Sequence, residues 1–185
     1  MKVINNFENV QATTGEFPRP QPNGYVCKII NVEDVPLGIS NGKGDYLRIE
    51  YDIAEGEFEG YYKDQFTKWG GNWNASFIRS YKEKALGMFK HFTNCIEKSN
   101  NNYDWDWNEK GLIGKVVGLV LGEEEYENSM GETKTKLSVK DIKTVEEIRS
   151  GNFKIPTIKK TEKTSNISTA TPNFEVISAD DDLPF

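Results

Sequence analysis

Aromatic and basic side chains recur next to one another through the middle of this chain: Tyr46 with Arg48, Tyr61 with Lys63, and Lys68 and Trp69 followed by Trp73. Rings offer flat π-faces on which planar groups stack, and lysine or arginine offers the counter-charge for phosphate. Together these are what a protein needs to hold a nucleic-acid strand without reading its sequence, with each stacked base worth on the order of 1–3 kcal/mol. Lys43, in the glycine-rich stretch PLGISNGKGD, and Lys134 and Lys136, after the turn NSMGE, are further cations of the same kind. Each residue also has an ordinary structural role open to it. An indole beside glycines can plug the end of a sheet, as Trp69 and Trp73 would. Tyr46 and Tyr61 can pair across strands, and Lys134 and Lys136, with Lys140 and Lys143, can guard a strand edge against aggregation.

Other chemistry-bearing residues point away from catalysis. The chain has no glycine motif that cradles phosphate before a helix, no nucleophile paired with a base in a recognisable signature, and no metal-ligand spacing. Glu123, Glu124 and Glu125 are consecutive on a strand-like run, so their carboxylates project to alternate faces and do not converge on a metal. The expectation is a protein that is not an enzyme and needs no cofactor and no metal. Trp105 and Trp107 stand among Asp104, Asp106 and Glu109, where phosphate is repelled, and are assigned to packing or a protein contact. His91, the one histidine, falls inside a helical pattern and reads as structural. Cys27 and Cys95 lack CxxC spacing and read as reduced, packed thiols.

The elements that must position these residues follow from periodicity. Strand-like runs are expected at GYVCKIINVEDV from Gly24 and at YLRIEYDI, where Leu47, Ile49, Tyr51 and Ile53 alternate with the wet-facing Tyr46, Arg48, Glu50 and Asp52. A third strand is expected in FEGYYKDQFTKW, with Phe58, Tyr62 and Phe66 on one parity and Tyr61, Lys63 and Gln65 on the other. A helix is then expected from about Ser76 to Glu97, its inner face made by Ile78, Tyr81, Ala85, Met88, Phe89, Phe92 and Ile96. LIGKVVGLVLGEEEY and TKTKLSVKDIKTV supply two more strands, the first bent at Gly114, Gly118 and Gly122, the second turning Leu137, Val139 and Ile142 inward.

Three strands, one helix and two strands make the expected fold mostly β: a five-stranded OB-fold barrel with one helix between strands 3 and 4, against the alternative of an open antiparallel sheet with a helix on one face. In such a barrel the ligand face is strands two and three with the loops joining one to two and four to five. That face would gather Lys43, Tyr46, Arg48, Tyr61, Lys63, Lys134 and Lys136, with Lys68, Trp69 and Trp73 just beyond. The domain would span 24–158, preceded by a proline-rich arm over 1–23 and followed by a flexible linker and acidic tip over 159–185. The formal net charge is −6, of which residues 161–185 carry −4. The acidity therefore belongs mostly to the tail, and the nearly balanced body can display a basic face. No run approaches the ~20 apolar residues that span a bilayer, so no membrane partner and a cytoplasmic location are expected.

A β-rich body, a Ser/Thr/Asn-rich linker and the ending DDDLPF resemble the bacterial and phage single-stranded-DNA-binding proteins, with the body closer to the phage type. The resemblance implies sequence-independent binding and protection of single-stranded DNA in replication, recombination and repair, inside a bacterial host cell if the chain is phage-encoded. It also implies that Asp180, Asp181, Asp182, Leu183, Pro184 and Phe185 recruit replication or recombination enzymes, the aspartates pairing with basic residues around an apolar pocket that takes the phenylalanine. A homo-oligomer is compatible with it. A strand-annealing recombination accessory and an OB-fold module for carbohydrate or protein are the alternatives.

Overall fold

The computed structural model describes residues 5, 7–9, 18–36, 44–128 and 130–157. Lys43 and the tip residues Asp180–Phe185 lie outside the described residues, as do the linker and most of the N-terminal arm.

Five antiparallel strands form one sheet in the order β3-β2-β1-β4-β5: β1 Asn23–Val35, β2 Tyr46–Ile53, β3 Ser76–Ser80, β4 Val116–Glu127 and β5 Thr133–Lys143. The thirteen-residue β1 is central because its two halves have different partners. Asn23–Lys28 pair with β4, and Cys27–Val35 pair with β2 across an irregularity between Ile29 and Asn31. Among the described residues no ladder joins β3 to β5, so the sheet is not closed into a barrel. Among the described residues three α-helices accompany it: α1 Tyr61–Trp69, α2 Leu86–Ser99 and α3 Val145–Arg149.

The alternation in β2 holds for its apolar half, since Leu47, Ile49, Tyr51 and Ile53 are all buried. They meet Phe89, Phe92, Cys95 and Ile96 of α2 and Leu119 and Leu121 of β4 in the main core. A fully buried ring such as Phe92 contributes about 1.5–3 kcal/mol there. Ile142 is buried with them, and Leu137 and Val139 are partly buried against the same core. Cys27 and Cys95 are free and buried. His91 approaches the Ile142 carbonyl with Nε2 at 2.9 Å and so ties α2 to β5. A second, smaller cluster of Val26, Val120, Val145 and Ile148 fastens α3 against β1 and β4. Gly118 makes room for it: a Cβ there would lie 2.4 Å from Ile148 Cγ1 and 2.7 Å from the Thr144 carbonyl oxygen. The ladder between β4 and β5 shifts register between Val120 and Leu121, while Gly114 falls before β4 in a left-handed turn at φ 84°.

Four expectations about the middle of the chain are corrected. FEGYYKDQFTKW is not a strand but a turn leading into α1, and the third strand is instead Ser76–Ser80, within the segment expected to open the long helix. Phe58, Tyr62 and Phe66 stand four residues apart, a spacing that serves one helix face as well as one strand face. The chain settles as a helix because β2 caps it. Asp52, only 5% exposed, accepts from the backbone N–H groups of Ile53 at 2.9 Å, Tyr62 at 3.0 Å and Lys63 at 3.2 Å. Two of those are orphan donors of the first turn of α1, whose N-cap, Gly60, has no side chain to offer. Asp52 is thus buried rather than wet. α2 starts only at Leu86, after a 3-10 turn at Glu83–Ala85, and Ile78 and Met88, expected inside, are exposed.

Among the described residues, no helix is long and apolar enough to cross a membrane.

Candidate nucleic-acid interface

β4 and β5 continue beyond the start of β1, because Leu121 already pairs with Asn23 and the hairpin runs on to Glu127. α1 lies at that same end of the sheet: Gly60 N–H donates to the Ile53 carbonyl, and Ile53 pairs with Cys27 near the beginning of β1. Beside α1 are two adjoining recesses that share Tyr61, Tyr62 and Asn74, the first of which reaches the hairpin. One, of about 190 Å³, is completed by Arg19 and Pro20, by Glu123 of β4, and by Thr135, Lys136 and Leu137 of β5. The other, of about 240 Å³, runs along α1 past Gln65 and Phe66 to Trp69.

Aromatic contacts fix the inner wall. Tyr61 packs edge-on against Phe58 at 6.1 Å and Tyr62 at 5.2 Å, and Tyr62 in turn meets Tyr51 at 5.6 Å. Burial pushes the Tyr62 hydroxyl well above the usual tyrosine range, so it stays protonated. Trp73 packs on Phe66 at 5.8 Å and donates its indole N–H to the Tyr51 carbonyl at 3.0 Å, which fastens the segment after α1 to β2. Trp69, in contrast, is 73% exposed at the last position of α1. The two tryptophans therefore divide: Trp73 is built into the scaffold, and Trp69 presents its ring to solvent.

Basic residues stand on the same elements, with Arg19 and Lys136 lining the first recess. Lys63 and Lys68 are exposed on α1, and Lys136 is exposed on β5 with its ammonium 5.6 Å from the centre of the Tyr126 ring. Lys134 lies 3.4 Å from Glu132 in an exposed ion pair, of the kind worth about 0–1 kcal/mol. Glu123 lines the first recess with Arg19 and Lys136.

Not all the residues expected on one face come together. Tyr46 and Arg48 are at the opposite end of β2, where Tyr46 pairs with Val35 and Ser80, and the exposed Arg48 pairs with Glu33 and Ile78. Tyr61 and Lys63 sit on α1 rather than on a strand beside them. Sequence reasoning also missed Arg19 and Tyr62 as wall residues. Tyr62 was visible as the neighbour of Tyr61, whereas the return of the proline-rich segment to the helix leaves no periodic signal.

Compared with known proteins, the chain matches no protein-family model, and no curated protein is significantly similar to it.

Proposed function

We propose that this protein binds single-stranded DNA without regard to sequence, with the groove between α1 and the β4–β5 hairpin as the site. The observation that carries this is the meeting of stacking surface and cation in two adjoining recesses: Trp69 and Tyr61 along α1, Lys136 and Arg19 in the recess next to it. A strand laid there has rings for its bases and charges for its phosphates, and a binding role of this kind needs no cofactor and no catalysis.

Strand order supports the reading at the level of architecture. The path β3-β2-β1-β4-β5, with a helix between the third and fourth strands, is that of an OB-fold whose seam between β3 and β5 stays open, and we read the domain as a member of that partly open class. The ending DDDLPF adds the second half of the role. Asp180–Asp182 and the terminal Leu183-Pro184-Phe185 recruit replication or recombination enzymes to the coated strand, as in the phage and bacterial proteins this chain resembles.

Titration of fluorescent oligo-dT, with a duplex control and a salt series, tests the site. Single strand is preferred, and affinity falls steeply with salt. Trp69→Ala, at a solvent-facing position, loses about 1–3 kcal/mol of binding. Lys136→Ala weakens binding evenly across sequences and lowers the salt slope by about one. Absence of binding at low salt overturns the function. Binding that both substitutions leave unchanged overturns the groove.

A further inference from the structure

At the opposite end of the sheet is a third recess, of about 250 Å³, lined by Asp34, Leu47, Tyr81, Phe89, Trp105, Trp107 and Glu109. It is remote from the groove described above. Asp34 pairs with Leu47 where β1 ends and β2 begins, whereas α1 is attached at Ile53, six residues along β2 and about 20 Å away at the rise of a strand.

Four aromatic rings frame it, with Phe89 at their centre. Tyr81 meets Phe89 edge-on at 6.0 Å, Trp105 does so at 5.9 Å, and Trp107 lies nearly parallel to Phe89, at 18° and 6.4 Å between centroids. Trp105 and Trp107 are themselves 6.1 Å apart. The lining also holds two carboxylates and no lysine or arginine. Asp34 is exposed and accepts from the Tyr81 hydroxyl at 2.7 Å, which fixes the carboxylate at the edge of the rings.

Packing on Phe89 and Trp105 accounts for only part of the position of Trp107. Its backbone is left-handed at φ 64°, a conformation that a bulky residue adopts only at a cost, and its side chain is 76% exposed, so burial does little to offset that cost. A strained, solvent-facing indole beside three other rings and two anions matches the chemistry of cation recognition. Aromatic faces attract a cation through the ring quadrupole, and a planar guanidinium both stacks on a ring and hydrogen-bonds a carboxylate in its own plane. The same carboxylates repel phosphate.

We propose that this recess docks an arginine side chain of a partner polypeptide, at a surface separate from the nucleic-acid groove. The guanidinium lies against Trp107 and its neighbours and pairs with Asp34 and Glu109. The proposal does not rest on the DNA-binding reading and survives its failure.

The test uses the full chain and the indole N–H resonances of its tryptophans. Acetylated, amidated Gly-Gly-Arg-Gly-Gly is titrated into the millimolar range against the same peptide carrying citrulline, which keeps the shape and loses the charge. The arginine peptide shifts the Trp105 and Trp107 signals and leaves Trp69 in place, while the citrulline peptide binds at least about fivefold more weakly. Trp107→Ala weakens the arginine peptide to a similar extent. So does the pair Asp34→Asn and Glu109→Gln, in which the new amide oxygen still accepts from the Tyr81 hydroxyl and the fold is preserved. Equal shifts from both peptides, or no shift at all, overturn the proposal. Movement of the Trp107 signal on dilution of the protein alone assigns the recess to a second copy of the chain, and movement with oligo-dT assigns it to DNA; either result overturns it as well.

Discussion

Asp52 shows how one side chain can decide the form of a site it does not line. A carboxylate removed from water is costly unless its lone pairs are met, and here three backbone N–H groups meet them, two from the positive end of α1. Asp52→Ala strands those donors in a protected place, and a loss of about 2–4 kcal/mol is expected in urea denaturation. Asp52→Asn, which keeps one acceptor oxygen, falls between the two. An alanine variant as stable as the native chain would show that the cap contributes nothing. This residue was only half legible in the sequence. The alternation of YLRIEYDI places its apolar members correctly, but it assigns Asp52 to water, because the donors that bury it come from a helix about ten residues further along, and a strand period carries no trace of them.

Among the elements, α3 carries a signal that sequence does show. Thr144 and Glu147 form a reciprocal cap: the Glu147 N–H donates to Thr144 Oγ1 at 3.2 Å, and the Thr144 N–H donates to Glu147 Oε2 at 2.8 Å. The Thr144 backbone donor holds the Glu147 carboxyl below its ordinary range; burial opposes this, and the Thr144 hydroxyl and the charges of Lys143 and His91 add to it. A carboxyl lowered in the folded state stabilises it above the unfolded value, near pH 4.3, and that stabilisation is lost as pH falls through the folded value. The stability difference between the native chain and Glu147→Gln should therefore narrow as pH falls from about 5 to 3 in a series of urea titrations. A constant difference would remove the charge from the cap. T-x-x-E at Thr144 is a recognised start signal, yet the segment reads as a continuation of β5, because Val145 extends its alternation. The exchange of roles between 58–69 and 76–80 has a related cause. Residues four apart satisfy a strand and a helix alike, and only the pairing of Ser76–Ser80 with β2 decides which segment becomes the strand.

For the whole molecule, strand number, the dominant helix between the third and fourth strands, and the aromatic-basic character of the middle of the chain were all legible. Which ends of the sheet those residues occupy was not, since that depends on register and on the position of α1. The linings of the two sites differ in charge, with Glu123 the carboxylate at the first. Lys136 and Arg19 stand by one, and Asp34 and Glu109 by the other. The tail carries −4 of the formal −6, on a linker long enough to reach the recess that Arg19 and Lys136 line. A chain truncated after Lys160 should thus bind oligo-dT several-fold more tightly at low salt, with the difference closing as salt screens the tail. Equal or weaker binding by the truncated chain would rule out the tail as a competitor.

The strand-borne cap of α1 also bears on the order in which the molecule assembles. Nine residues are too few to hold a helix in water, where roughly 12–15 are needed, and the anion that begins this one belongs to β2. α1 is then expected to form only once β2 is seated in the sheet, after the rate-limiting step. Substitutions on its surface should speed unfolding and leave the folding rate alone. The groove that α1 walls would be the last part of the domain to form and the first to open.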